Sequence, residues 1–196
     1  MSENIITKPL LALRGMMVFP GMISNLDIGR EKSLNALEAA EDKLIILVTQ
    51  KDPEITDVTV EDLYPFGVLA KIRQETKMPN GALRVLVEGL ERVQITMVTN
   101  NTEPKCFFVG QGTIIDDTCE SDSETEALRR LLLESFEQWM VQNKKVNPDA
   151  LAGFKEQRDI GRLADSMVGF LSLPIAEKES LLEMANPKER LRTLYA

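Results

Sequence analysis

The chain contains no histidine. That removes Ser-His-Asp and Cys-His nucleophilic arrangements, and most zinc ligand sets with them. There is no GxxxxGK[ST] loop to cradle a phosphate. Gly110-Gln111-Gly112 lies in a strand-like run and lacks the third glycine of a dinucleotide fingerprint. Residues 116–126, "DDTCESDSETE", hold six carboxylates. A pair such as Asp116 and Asp117 has the oxygen chemistry for acid–base work or for a hard cation. A flexible acidic tract ordinarily stays hydrated, so we read it as a linker. A Ser-Lys dyad is compatible with the composition, but no serine stands at a sharp strand–helix turn. No catalytic residue, metal ligand or cofactor is expected, and the chain reads as a non-enzyme.

Cys106 and Cys119 lack CxxC spacing and any framework around them, which points to free thiols in a reducing compartment. The N-terminus has no signal-peptide pattern and no run approaches a membrane span, so a cytoplasmic location is expected. The 196 residues carry a net charge of −8 with no cluster of Lys and Arg. Such a surface repels phosphate backbones and argues against nucleic acid as the main ligand.

The elements that must position any binding surface change character near residue 116. Before it, Pro9–Leu13 and Ile23–Ile28 read as strands flanking the apolar stretch "LRGMMVFPGM" at 13–22. Residues 31–42 read as a helix. "LIILVT" at 44–49 reads as a buried strand, and 51–65 as a long loop with one helical turn at "VEDLY". Asn80-Gly81 predicts a hairpin turn, with both residues tolerant of positive φ. Leu83, Val85 and Val87 alternate with Arg84, Leu86 and Glu88 until Gly89 breaks the strand. Val93, Ile95 and Met97 alternate again, and 106–115 supplies another strand. Six or seven short, mainly antiparallel strands with one helix suggest a curled sheet or barrel.

Beyond 116 the period becomes helical. Ser123 and Glu126 form a candidate capping box. Leu128, Leu132, Phe136, Trp139 and Met140 lie on one stripe. Asn147-Pro148 and Asn186-Pro187 are cap-plus-proline starts. Ile160 to Leu171 marks another helix, Pro174 stops it, and "IAEKESLLEMA" follows as a short one. The expected division is a β-domain over 1–117 and a helical bundle over 118–196. The Leu128–Met140 stripe reads as bundle core. The competing reading is a subunit contact with Trp139 as anchor.

Several ordered blocks carry a family likeness. These are "PLLALRGMMVFPGMISNLDIGREKSLNALEAA" at 9–40, "LVTQKD" at 47–52, "FGVLAKI" at 66–72, "VLVEGLERV" at 85–93 and "GRLADSMVGFLSLPIAEKESLLEMANPKERL" at 161–191. Together they resemble the amino-terminal domain of the ATP-dependent protease Lon over nearly the whole chain. Three positions depart from the family's usual pattern. Ala12 stands where a second proline is common, Asn25 where Pro-Leu is common, and Ile160 where a proline often precedes "GRLAD". The resemblance implies an α+β fold: a PUA-like curled antiparallel sheet or pseudo-barrel with one helix, then a small helical bundle. It further implies that the sequence is the front part of a longer subunit with an AAA+ ATPase and a Ser-Lys protease domain. The implied role is recognition of unfolded or damaged polypeptides and help in assembling a homohexamer with other Lon subunits. The alternative is a free-standing Lon-like domain acting as a regulatory protein-binding module. RNA binding, known for some PUA-like folds, is disfavoured by the charge and by the single Trp and two Tyr.

On that reading Met16, Met17, Phe19, Pro20 and Met22, extended by Met78 and Pro79 before the hairpin turn, are the candidate substrate-binding residues. Thioether side chains repack against many partners, and Gly15 and Gly21 would let the stretch move. The competing reading is that the same residues seal one end of the barrel. If the stretch is exposed, Met16→Ser with Met17→Ser should leave stability nearly unchanged and weaken binding to a denatured protein.

Overall fold

The computed structural model describes residues 4–118, 122–144 and 147–196. Cys119 and part of the acidic tract lie outside the described residues; Cys106 is a free, half-buried thiol. The fold is mixed α+β and groups into two compact units. The first holds the described residues through Asp116 together with Pro174–Glu183; the second holds Asp117–Leu173 and Met184–Ala196. No helix among the described residues is long and apolar enough to cross a membrane.

In the first unit, β1 (Ile5–Leu13), β2 (Ile23–Ile28), α1 (Glu31–Ala39), β3 (Leu44–Thr49), β4 (Phe66–Lys77), β5 (Leu83–Asn101) and β6 (Phe107–Ile115) follow in order. The sheet runs β2-β5-β4-β3-β1-β6, and β5 also pairs with β6. That extra pairing closes five strands into a ring and leaves β2 outside it, paired only with the first half of β5. All pairings are antiparallel except β1 with β3, which the β2–α1 crossover joins in parallel. One apolar layer gathers Leu11, Leu13, Ile45 and Leu47 with Val85, Val87 and the Ala36–Leu37 face of α1. The alternate residues Leu10, Ala12, Ile46 and Val48 form a second layer with Val58, Leu63 and Phe108. Burial on both faces explains why "LIILVT" is apolar without alternation.

Gly89 does not break β5. The strand runs through it with a register shift opposite Leu69 and Ala70, so Leu90 has no partner on β4. The hairpin turn is also one residue longer than an Asn-Gly pair. Met78 N–H donates to the Ala82 carbonyl, and only Gly81 takes positive φ, at 83°. This is the three-residue loop with a left-handed glycine. Gly110 and Gly112 of β6 are packing positions. A Cβ at Gly112 would stand 2.5 Å from the Gln94 carbonyl oxygen, and one at Gly110 would stand 2.8 Å from Leu10 Cδ1.

The helix α5 (Ile175–Glu183), which the sequence pattern assigns to the bundle, groups with the β-unit. Leu181 and Leu182 are buried, and Arg92 Nε donates to the Leu182 carbonyl at 3.0 Å. The buried Glu179 carboxylate accepts the Phe66 N–H at 3.0 Å, while its other oxygen meets no donor among the described residues. Burial, reinforced by Glu183 and only partly offset by the Phe66 N–H, pushes its pKa up to about 7.

The second unit contains α2 (Ser123–Gln142), α3 (Pro148–Glu156), α4 (Ile160–Val168) and α6 (Pro187–Tyr195). The cap of α2 is Asp122 rather than Ser123; its side chain accepts from Thr125 N–H at 2.7 Å. A carboxylate next to a helix start outcompetes the neighbouring serine. Asn147 and Asn186 cap α3 and α6 as their sequence predicts. Leu132, Phe136 and Met140 are buried, with Phe154, Leu163 and Met167 against them. Asp117 is more than a hydrated linker residue. It holds the Arg190 guanidinium through two contacts of 2.9 and 2.7 Å, and Asp165 Oδ1 lies 3.6 Å from Arg190 Nε. A Cβ on Gly161 would fall 1.9 Å from the Asp117 carboxylate, which explains the glycine that opens "GRLAD".

Candidate functional site

The stretch from Leu13 to Ile23 is tied to its neighbours by hydrogen bonds. Gln50 N–H donates to the Leu13 carbonyl at 2.9 Å, and Thr49 Oγ1 to that of Met16 at 2.8 Å. Gly21 N–H donates to the Gly89 carbonyl, and Gly89 N–H to that of Met22, both at 2.8 Å. The segment passes so close to β5 that a Cβ on Gly89 would stand 2.3 Å from the Phe19 carbonyl oxygen.

These ties sort the candidate residues. Phe19 is 1% exposed and Met17 6%, so both belong to the core and offer no surface to a partner. Phe19 also has the Arg92 guanidinium 6.0 Å above its ring centroid. The segment docks over β5 with Met17, Val18 and Phe19 all buried, which the sequence alone did not reveal. Met16, Pro20 and Met22 are half-buried, with Met16 and Met22 packed against the core. The next residue, Ile23 on β2, is 66% exposed. Pro79 is exposed and Met78 half-buried.

Two separate clefts result. The first, of about 530 Å³, is walled by Met16, Leu26 and Ile28 and carries Arg14 and Arg30. The second, of about 700 Å³, lies between α1 and the β4–β5 hairpin and takes in Leu34, Leu37, Met78 and Leu83. They share no lining residue, so the structure does not merge Met78 with the Met16 surface.

Arg30 and Gln50 are functional candidates that apolar patterning could not flag. Arg30 donates to Gln50 Oε1 at 3.0 Å and to the Ala12 carbonyl at 2.7 Å. The fully buried Gln50 donates in turn to the Asp52 and Ile55 carbonyls at 2.7 and 3.0 Å, and Arg14 donates to the Ile55 carbonyl at 3.1 Å. Burial, and then the charge of Arg14, lower the pKa of Arg30. Among the described residues neither guanidinium pairs with a carboxylate. The one acid on the cleft wall, Asp27, is held by Arg84 at 2.7 and 2.9 Å, and that bond keeps its pKa below the usual range. The signal was present in "GREKS" and in the polar residue that ends "LIILVTQ". Cationic donors beside apolar walls can bind, but this cleft holds no nucleophile–base pair. Among the described residues no cluster of acidic, Cys or His side chains could hold a metal ion.

In the second unit, Trp139 stacks on Phe136 with centroids 5.5 Å apart, and Phe136 and Phe154 meet edge-on. Trp139 thus packs with the bundle while remaining half-exposed.

Comparison with known proteins agrees with this architecture. Residues 7–196 match the family model described as the ATP-dependent protease La (LON) substrate-binding domain. The Lon protease of Brevibacillus choshinensis is 41% identical over 188 residues, 95% of this chain and 24% of that protein. That of Escherichia coli strain K12 is 38% identical over 190 residues, 96% of this chain and 24% of that protein. The chain therefore spans about a quarter of the length of these relatives. The N-terminal domain of Mycobacterium avium complex Lon protease shares the fold with a TM-score of 0.76 at 23% identity, over 96% of both chains. A Lon N-terminal domain protein from Xanthomonas campestris does so at 0.67 and 16%, again over 96% of each. A mixed α+β fold and a family model matched over nearly the whole sequence lead to one assignment: the chain belongs to the Lon protease substrate-binding domain family.

Proposed function

We propose that this chain recruits unfolded or damaged polypeptides for a cytoplasmic ATP-dependent Lon protease and contributes to assembly of its homohexamer. The observation that carries the reading is the outer side of the 13–23 segment. Met16, Pro20 and Met22 are only half-buried and lead into the exposed Ile23, and Met16 lines a 530 Å³ cleft. Unfolded chains have exposed apolar side chains in common, and adaptable methionines suit that target. Each contact is weak, so several copies in one assembly raise the effective affinity. The catalytic work belongs to other domains of such a protease.

The test is titration of the chain with a permanently denatured protein, comparing wild type with a Met16→Ser, Ile23→Thr double variant. Binding should weaken about tenfold or more, the loss of roughly 1.4 kcal/mol or more, with only a modest drop in the thermal midpoint. Unchanged affinity in the folded variant would place recognition elsewhere.

A further inference from the structure

β2 stands at the end of the sheet, paired on one side only. The Gly89-to-Met22 hydrogen bond sets the phase of the antiparallel ladder. With Ser24 opposite Val87 and Leu26 opposite Val85, the alternation directs the backbone groups of Ser24, Leu26 and Ile28 to β5. Those of Ile23, Asn25 and Asp27 point outward. Outside the pairing with β5, none of these three has a backbone–backbone hydrogen bond among the described residues. Natural edges are commonly blocked by proline, lysine or a covering loop. Here the central outward position is Asn25, which is exposed and keeps its backbone N–H.

The Met16 cleft adjoins this edge, with Leu26, Asp27 and Ile28 along its wall. Two of the Arg30 donors and one of the Arg14 donors are engaged, all by neutral acceptors. The remaining donors on both meet no acceptor among the described residues. In a chain of net charge −8, two adjacent guanidiniums without a carboxylate make a local site for an anion.

We propose that the outer edge of β2 accepts an extended stretch of a client polypeptide as an added strand, with a client carboxylate seated against Arg14 and Arg30. This deepens the function proposed above and rests on it. Backbone hydrogen bonds are offered by every unfolded chain, so edge pairing gives affinity without a sequence requirement, and the guanidiniums add a preference for acidic segments. A second copy of this chain fits less well. Its own β2 brings only Asp27, whose carboxylate is already held by Arg84.

The test uses end-blocked decapeptides of threonine and alanine with one central glutamate, and the same peptide with glutamine. Affinity is measured by titration, and amide exchange is followed at Ile23, Asn25 and Asp27. The glutamate peptide should bind about tenfold more tightly and protect those three amides. Asn25→Pro removes one outward N–H and spares the ladder, so it should fold normally and abolish peptide binding. Arg14→Gln should bring the glutamate peptide down to the affinity of the glutamine one. Equal affinity for the two peptides, undiminished binding by folded Asn25→Pro, or amide protection that depends on self-association would each overturn the proposal. If Asn25→Pro still binds a denatured protein as wild type does, edge pairing fails while the recruiting role stands.

Discussion

Met17→Ala separates core from contact in the opening segment. Met17 is 6% exposed, so the substitution removes almost its whole buried thioether chain. Transfer of such a side chain is worth about 2 kcal/mol, and the partly collapsed void adds to it, giving an expected loss of roughly 2–4 kcal/mol. For a chain of this size each kcal/mol lowers the thermal midpoint by about 3 °C, so a drop of about 6–12 °C is expected. Met16→Ala is the internal control. Met16 is only half-buried and lines an open cleft, so its truncation should cost less, about 1–2 kcal/mol. Calorimetry on both variants, with urea titration followed by Trp139 and far-ultraviolet dichroism, would resolve the two units if they melt separately. The earlier expectation that Met16→Ser with Met17→Ser is thermally silent therefore reverses, with the larger part of the loss assigned to position 17. Equal, small midpoint shifts for Met17→Ala and Met16→Ala, with client binding lost only in Met17→Ala, would refute the burial argument.

Two further outcomes follow from the same packing. Gly89→Ala must push the Phe19 carbonyl away and strain two 2.8 Å backbone bonds, costing about 2–3 kcal/mol; a wild-type urea midpoint would contradict the close approach. Glu179 has a native pKa of about 7, above its unfolded value of 4.5, so the folded state holds the proton more tightly. Its contribution to stability is complete below pH 4.5 and is lost as pH rises through 7, by about 3 kcal/mol in all. Glu179→Gln should therefore be more stable than wild type at pH 8, the advantage vanishing toward pH 4.5; parallel stability curves would exclude this origin.

Elements whose signals are local were legible. The alternation Leu83-Val85-Val87, the doubly buried "LIILVT", the Asn-Pro helix starts and the Leu132–Phe136–Met140 stripe each reflect a period or a cap written in adjacent residues. What escaped depends on distant partners. Gly89 looks like a strand breaker until the Phe19 carbonyl is found against it, and Gly161 looks like helix damage until Asp117 and Arg190 occupy its missing Cβ. Met16 and Met17 are adjacent and chemically identical, yet one is half-buried at a cleft wall and the other fully buried, because docking over β5 decides which faces inward. Arg30 and Gln50 escaped because a cation and an amide carry no periodic signal. Their role exists only where the loop from 52 to 55 folds back on Gln50 and Arg30 reaches Gln50 and the Ala12 carbonyl.

The grouping of α5 with the β-unit changes what a dissection can mean. The backbone passes from one unit to the other at 116/117, returns at 173/174 and leaves again at 183/184. A fragment ended at 117 would strip Leu181 and Leu182 from their burial and leave the Arg92 guanidinium without the Leu182 carbonyl. The crossing at 116/117 is thus one of three and does not by itself separate the units. Severing it would leave the first unit still holding a segment that belongs, by sequence, to the far side of the cut.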